Sequence, residues 1–169
     1  RLEAGKNVAF ITEGDPFVYS TFIYLYNHAK KNWPEVDVEV VPAVSSISAV
    51  PIVAGMAVAD GEERIAVIPA SYGIDDLRTI LKTFDTVLLM KVSSVMPQVV
   101  DAITAEGLLD SAVYVSRATM KQQKIIRDIV AIKNDRCDYF SMVVVCKKSR
   151  NGILEGRTRA AGSSSEVKA

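Results

Sequence analysis

Short apolar runs recur along the chain, and each of them is followed within a few residues by a turn. They occupy residues 7–12, 64–69, 86–90, 112–116 and 139–146, and valine is their most frequent residue. A run of this length that is apolar on both faces is typical of a strand covered by helices on both sides of a sheet. Strands of this kind, alternating with helices, predict an α/β fold.

The first run predicts a β-α-β unit. Residues 7–12 are expected to form its first strand, and residues 37–41, where valine alternates with acidic residues, its second. Between them a helix is predicted, with Asp15 as its N-cap and Pro16 at its first position. Pro34 should end that helix, and the connection is long enough for a parallel crossover.

A second α/β series is predicted beyond Gly55, which should end a helix that starts near Ser48 and holds Pro51 in its first turn. Strands at 64–69, 86–90, 112–116 and 139–146 alternate with helices at 74–81 and 95–105, the latter capped by Ser94. Residues 124–129 are compatible with a strand or a helix. The predicted division is the later part of a first α/β domain at 1–43, a second α/β domain at 44–155 and a disordered tail at 156–169.

The overall composition excludes several classes of function. Twenty basic residues balance twenty acidic ones, which argues against a nucleic-acid partner or a polybasic membrane anchor. No apolar run approaches the roughly 20 residues that cross a bilayer. The single histidine, His28, and the widely spaced Cys137 and Cys146 do not suit a metal site. Two cysteines without a targeting pattern favour the cytoplasm.

Two turns that follow the first two predicted strands carry polar residues. In the first turn, Gly14 would let a ligand approach the backbone and Asp15 can accept a hydrogen bond from it. An ordinary turn glycine with a helix cap is the simpler alternative. In the second turn, Ser45 and Ser46 either cap a helix or contact a ligand, and capping is favoured.

Two further turns follow strands of the second series. Met90 ends a strand, where methionine is usually core filler, and Lys91 can pair with an acidic ligand, although most lysines are simply solvated. Arg117 can hold a carboxylate with two hydrogen bonds, or it can form a surface ion pair that contributes little.

Taken in order, these turns resemble those of the tetrapyrrole methylase family of S-adenosylmethionine-dependent enzymes. The first is similar to the family's GDP-x-x-Y turn, and the second to its V-P-G-[VIT]-[ST]-[SA] segment, with Ala43 in place of the usual glycine. The third is similar to its strand-end methionine. The strings EGDPFVYSTFIYL, VEVVPAVSSISA, ADGEERIAVIPA, LLMKVSS, VSRATM and RCDYFSMVVV resemble the subgroup of precorrin-2 or cobalt-factor II C20-methyltransferases of cobalamin biosynthesis.

The resemblance implies two α/β domains with a cofactor cleft between them, a homodimer and methylation of C20 of the tetrapyrrole, with S-adenosylhomocysteine as a product. It implies cofactor contacts at Glu13, Gly14, Asp15, Val18, Ser45, Ser46, Met90 and Ala118. Lys91 and Arg117 are the candidates for binding the substrate carboxylates, and no catalytic residue is assigned. The family's G-x-G-P-G loop is absent, so a truncated first domain is expected.

Other functions remain open at this point. Another tetrapyrrole methylase or a diphthine synthase-like methyltransferase would keep the fold and the cofactor but change the substrate. An inactive fragment would retain only the scaffold. A nucleotide-binding Rossmann module is disfavoured, because no GxGxxG follows any predicted strand.

Overall fold

The computed structural model describes residues 1–148, so the predicted tail at 156–169 lies outside the described residues. The chain forms two compact units, Arg1–Val50 and a second unit that begins at Pro51. The domain limits at 43 and 155 stay a prediction. The two units differ in secondary structure and are described in turn.

The first unit contains one long helix, α1, at Phe22–Asn32, and a short 3₁₀ turn at Leu2–Ala4. Helix α1 ends at Asn32, shortly before Pro34, as the sequence predicts. The buried ring of Phe22 lies at the centre of an aromatic cluster, 5.6 Å from the ring of Phe10, 6.0 Å from that of Phe17 and 6.1 Å from that of Tyr26. This cluster holds the turn before α1 against the helix.

The two strands predicted in the first unit are not formed. Residues 7–12 and 37–41 are not paired with each other or with any other described segment. A strand needs a hydrogen-bonded partner, and an apolar pattern alone does not supply one. Ile11 is consequently 89% exposed. The predicted β-α-β unit is therefore absent from residues 1–50.

The predicted N-cap of the first helix is also wrong. Helix α1 begins at Phe22, and the preceding residue, Thr21, occupies the cap position. The Oδ1 atom of Asp15 accepts a hydrogen bond from the Phe17 N–H at 2.9 Å, and the carbonyl of Asp15 accepts one from Val18 at 3.2 Å. Asp15 thus closes a local turn, a competing use of aspartate that delays the helix.

Helix α2 spans Ser46–Ala54, so it starts before Ser48 and holds Pro51 in its interior rather than in its first turn. Gly55 ends it as predicted, in the left-handed conformation with φ +69°. The N–H groups of Gly55 and Met56 donate to the carbonyls of Ile52 and Pro51 at 3.1 and 2.9 Å. These two bonds satisfy carbonyls that a helix end leaves unpaired.

The second unit is built on a mixed five-stranded sheet in the order β1-β2-β5-β3-β4. Its strands are β1 (Ile65–Pro69), β2 (Thr86–Met90), β3 (Ala112–Ser116), β4 (Lys124–Ile126) and β5 (Ser141–Cys146). Strands β1 and β2 are parallel, and β5 is antiparallel to both β2 and β3, as β4 is to β3. The predicted strands of this region are confirmed, and the open segment 124–129 contains a three-residue strand.

Two helices of the second unit, α3 (Leu77–Thr83) and α4 (Met96–Ala105), contribute to its core. Pro97 lies in the first turn of α4, but the predicted cap, Ser94, does not cap this helix and belongs to a short 3₁₀ turn instead. The buried core joins helix residues to sheet residues: Leu77, Leu81, Met96, Val99, Ile103, Val87, Leu89, Val143 and Val145. No helix within residues 1–148 is both long enough and apolar enough to cross a membrane.

Candidate functional site

The first two predicted ligand turns adjoin each other within the first unit. Gly14 has φ +72°, a backbone conformation that glycine adopts without strain. A Cβ atom at Gly14 would lie 3.7 Å from the carbonyl oxygen of Val44 and 3.8 Å from the Cα of Ser45. The fold therefore brings together two segments that are 30 residues apart in sequence, as the resemblance implies for Gly14 and Ser45.

Ser45 caps helix α2. Its Oγ accepts a hydrogen bond from the Ile47 N–H at 3.3 Å, and its carbonyl accepts one from Ala49 at 2.9 Å. The capping alternative is confirmed for Ser45. Ser46, the first residue of the helix, is exposed and keeps its side chain at the surface.

The remaining predicted residues of the first turn differ in exposure. Glu13 is exposed, whereas Asp15 and Val18 are half-buried. Asp15 uses Oδ1 for the Phe17 amide, and a carboxylate has further lone pairs for a second donor. The turn ends at Tyr19, which has φ +53°.

The two other predicted turns share one edge of the sheet in the second unit. Strands β2 and β3 run in the same direction, because both are antiparallel to the intervening β5. Their carboxyl ends, Met90 and Ser116, pair with Met142 and Ser141 at the start of β5. Met90 is half-buried, and Arg117 and Ala118 follow Ser116 directly.

Lys91 is exposed at this edge and has φ +55°. Its Nζ lies 5.6 Å from the centre of the Tyr72 ring, which is within the range of a cation–π interaction. Tyr72 was not predicted as a site residue. Nothing in the sequence links it to Lys91, because the two residues belong to turns after different strands.

Arg117 forms an ion pair, as one of the two alternatives from the sequence allowed, but its partner was not predicted. Its Nε and Nη2 atoms donate to the same Oδ1 atom of Asp138, at 2.9 and 2.8 Å. The hydrogen bond from Arg117 lowers the pKa of the Asp138 carboxyl, and the same bond raises the pKa of Arg117. Asp138 lies in the string RCDYF, which carried part of the resemblance but gave no indication of this pairing.

A buried tyrosine, Tyr114, and a half-buried cysteine, Cys137, lie beside this pair. Burial raises the pKa of the Tyr114 hydroxyl, and burial likewise raises the pKa of the Cys137 thiol. Both groups therefore stay protonated at neutral pH. The Tyr114 oxygen accepts a hydrogen bond from the Asp138 N–H at 3.3 Å.

Left-handed backbone conformations concentrate in these turns. Among the described residues, the non-glycine residues with positive φ are Tyr19, Lys91, Arg117 and Thr119, with φ between 50° and 66°. Such conformations are uncommon for residues with a side chain and tend to occur at ligand-binding and active sites. Each of the four lies in a turn that the sequence singled out.

Comparison with known proteins identifies the family. The family described as Tetrapyrrole (Corrin/Porphyrin) Methylases matches residues 1–131. The chain belongs to the tetrapyrrole methylase family.

Two relatives of this chain have the same level of identity. A precorrin-2 C(20)-methyltransferase from Sinorhizobium sp. is 33% identical over 144 residues, which cover 85% of this chain and 57% of the relative. A cobalt-precorrin-2 C(20)-methyltransferase from Salmonella typhimurium is 33% identical over 148 residues, which cover 87% of this chain and 61% of the relative. The chain thus spans about three fifths of the length of these curated relatives.

Solved structures share the fold of this chain. A cobalt precorrin-4 methyltransferase superposes with a TM-score of 0.60 at 22% identity, over 79% of this chain and 61% of that one. The uroporphyrin-III C-methyltransferase of Thermus thermophilus, complexed with S-adenosylhomocysteine, gives a TM-score of 0.55 at 19% identity, over 79% of this chain and 63% of that one. The predicted α/β, tetrapyrrole methylase-like fold is confirmed.

Proposed function

We propose that this protein transfers a methyl group from S-adenosylmethionine to C20 of precorrin-2 or cobalt-factor II in cobalamin biosynthesis. The two relatives at 33% identity are named for methylation at this position. The structural observation that carries the proposal is the concentration of left-handed residues in the turns that the resemblance assigns to ligands. Such strain is maintained where a fixed local geometry serves binding.

The residues proposed to bind the cofactor suit a molecule that has both polar and apolar parts. Glu13 offers an exposed carboxylate that can accept hydrogen bonds from hydroxyl or amino groups. Gly14 leaves the backbone accessible because it has no side chain. Asp15, Ser45 and Ser46 add polar groups, and Val18, Met90 and Ala118 add apolar surface.

The proposed reaction requires little acid–base catalysis by the protein. S-adenosylmethionine, when bound, supplies an electrophilic methyl group attached to a sulfonium. Apolar side chains at the cofactor would exclude water from the reacting groups. The turns would hold the substrate in line for attack by its electron-rich carbon. This account explains why no histidine or cysteine needs to act as a base.

The substrate carries several carboxylates, and Lys91 and Arg117 are the proposed groups that bind them. Both residues follow strands that end at the same edge of the sheet. A guanidinium presents several N–H donors in a planar arrangement that matches a carboxylate, whereas an ammonium acts as a compact charge. Arg117 is therefore expected to set the orientation of the macrocycle, and Lys91 to add attraction.

A methylation assay tests the proposal directly. The purified chain is incubated with S-adenosylmethionine and either metal-free precorrin-2 or cobalt-factor II, and the product is examined by mass spectrometry. Addition of one methyl group at C20 is expected on at least one of the two substrates. Methylation at another ring position would favour a different tetrapyrrole methylase.

Calorimetry with S-adenosylhomocysteine separates the scaffold alternative from the enzyme. Binding of S-adenosylhomocysteine together with methylation supports the proposal, whereas failure of both indicates that these residues form only a scaffold. We also propose a cytoplasmic homodimer, supported by the family resemblance and by the two free cysteines. Light scattering of the purified chain tests the dimer, which a monomeric mass would contradict.

A further inference from the structure

The ion pair of Arg117 uses only some of the N–H donors of its guanidinium. Its Nε and Nη2 atoms both reach Oδ1 of Asp138, and within residues 1–148 Asp138 is its only ion-pair partner. The Arg117 side chain is 40% exposed and that of Asp138 29% exposed. A guanidinium has five N–H donors, so this pairing leaves donors available to a second anion.

Asp138 is itself fixed to two strands of the sheet. Its N–H donates to the hydroxyl of Tyr114, which is buried in β3, and its carbonyl accepts a hydrogen bond from the hydroxyl of Ser141, the first residue of β5. The Arg117 N–H donates to the carbonyl of Phe140 at 2.8 Å. The carboxylate that holds the guanidinium thus has little freedom to move.

A second cation lies beside the same carboxylate. The register of β3 and β4 places Lys124 opposite Ser116, the residue before Arg117. The charge of Lys124 contributes to lowering the pKa of Asp138. Arg117 and Lys124 therefore both act on the Asp138 carboxylate, and their combined positive charge exceeds the single negative charge of Asp138, which suits an anionic ligand.

We propose that Asp138 is a positioning residue, which fixes the Arg117 guanidinium so that its remaining N–H donors bind one carboxylate of the tetrapyrrole. This inference rests on the proposed function and on the assignment of Arg117 to the substrate. A side chain that is ordered before the substrate arrives loses less conformational freedom on binding. Asp138 would therefore tighten substrate binding although it carries the same charge as the substrate.

The direction in which KM for the tetrapyrrole changes when Asp138 is replaced tests the proposal. If Asp138 acted only through its charge, its neutralisation would make this part of the protein more positive. A polyanionic substrate would then bind more tightly, and its KM would fall. If Asp138 positions Arg117, the Asp138→Asn variant should raise KM for cobalt-factor II roughly tenfold, while kcat and KM for S-adenosylmethionine stay unchanged. Asp138→Glu, which keeps the charge, should recover part of the loss.

Asp85→Asn is the matched control. Asp85 precedes β2 at the opposite edge of the sheet, where it pairs with Lys148 and accepts a hydrogen bond from the Arg64 N–H. Its removal changes the net charge of the protein by the same amount as Asp138→Asn. KM for cobalt-factor II should change by less than about twofold, because screening suppresses the effect of a distant surface charge.

A double-mutant cycle identifies the residue through which Asp138 acts. In an Arg117→Ala background, Asp138→Asn should no longer raise KM, because the group that it positions is gone. An equal rise in both backgrounds, or a fall in KM for Asp138→Asn alone, would overturn the positioning role. So would a rise in KM for both substrates together with a loss of folded protein in Asp138→Asn and Asp138→Glu.

Binding measurements keep this inference separate from the proposed reaction. Binding of cobalt-factor II, followed by its absorbance, is compared between the wild-type chain and Asp138→Asn. If the wild-type chain binds without methylating, the proposed reaction fails, and a weaker affinity of Asp138→Asn still supports the positioning role. If the wild-type chain methylates and Asp138→Asn binds equally well, only the positioning role fails. If the wild-type chain binds neither cobalt-factor II nor metal-free precorrin-2, both are overturned.

Discussion

Both units of the chain contain short apolar segments, but these segments have different structures in the two units. Thr86–Met90 of the second unit lies between two paired strands, and four of its five residues are buried. Residues 7–12 of the first unit have a comparable apolar composition but no paired strand, and Ile11 is 89% exposed. The difference shows that an apolar run becomes a strand only where another segment supplies its backbone hydrogen bonds.

The same contrast applies to the cores of the two units. The second unit packs two helices on a sheet through fully buried aliphatic side chains. The first unit relies on an aromatic cluster around Phe22 and on the hydrogen bonds of its turns. Burial of apolar area is the dominant favourable term in folding, so we expect the second unit to contribute most of the stability of the chain.

The largest effect on stability is expected when Leu89→Ala is compared with Ile11→Ala. Leu89 is fully buried in β2, and its truncation should lower the free energy of unfolding by about 2–5 kcal/mol. Ile11→Ala should change it by no more than about 0.5 kcal/mol. Denaturant titration followed by far-UV circular dichroism measures both. A loss for Ile11→Ala as large as that for Leu89→Ala would show that residues 7–12 are buried in the protein in solution.

The elements that the sequence predicted best are those that local pattern and burial determine together. The strand at 86–90 was placed correctly because it is apolar throughout and is followed by a break at Lys91. The start of the first helix was not, because Asp15 has two competing local uses and formed a turn with Phe17. Nothing in the local sequence separates those two uses.

The candidate site residues were proposed from turns and from resemblance, which give single residues but not the pairs that they form. The ligand-binding roles of Gly14, Ser45, Met90 and Arg117 stay predictions. The partner of Arg117, Asp138, lies 21 residues away and depends on the order of β3 and β5 in the sheet. The left-handed conformations at Lys91 and Arg117 were equally inaccessible, because the surrounding fold and not the residue type imposes them.

An intermediate effect is expected for Gly14→Ala, with Gly5→Ala as its control in the same unit. Both glycines are left-handed, with φ +72° and +67°, so alanine should cost about 1–2 kcal/mol at either position. Trp33, the single tryptophan, lies in this unit and reports its unfolding by fluorescence. Because both variants place alanine at a left-handed position, we expect them to lose the same amount of stability.

The two glycine variants should differ in ligand binding. Only Gly14 lies against Val44 and Ser45, whereas a Cβ at Gly5 would meet nothing within 4 Å. Calorimetry should show that the affinity for S-adenosylhomocysteine falls roughly tenfold in Gly14→Ala and not in Gly5→Ala. Equal affinities in the two variants would remove Gly14 from the proposed cofactor site.

The smallest expected effect is a loss of thermal stability in acid, which should arise in the second unit. Hydrogen bonds lower the pKa of Asp85, Glu106 and Asp138 below their ordinary values, the first through the Arg64 N–H, the second through Arg78 and the third through Arg117. A carboxyl group with a lowered pKa in the folded state stabilises the fold fully above its unfolded pKa. It loses that contribution as the pH falls through its folded pKa. The thermal midpoint should therefore be flat with respect to these groups from pH 8 to about 5 and should fall below about pH 4.

Glu106→Gln isolates one of these groups. Glu106 pairs with Arg78 at 2.7 Å and with Lys82 at 3.6 Å, and glutamine keeps its shape while removing its charge. The variant should melt below the wild type at pH 7, and the two curves should approach each other as the pH falls through the lowered pKa of Glu106, because the wild-type carboxyl then loses its charge as well. Circular dichroism should register this convergence more strongly than Trp33 fluorescence, because both partners of Glu106 lie on α3 in the second unit. A difference that does not shrink as the pH falls would show that the charge of Glu106 does not stabilise the unit.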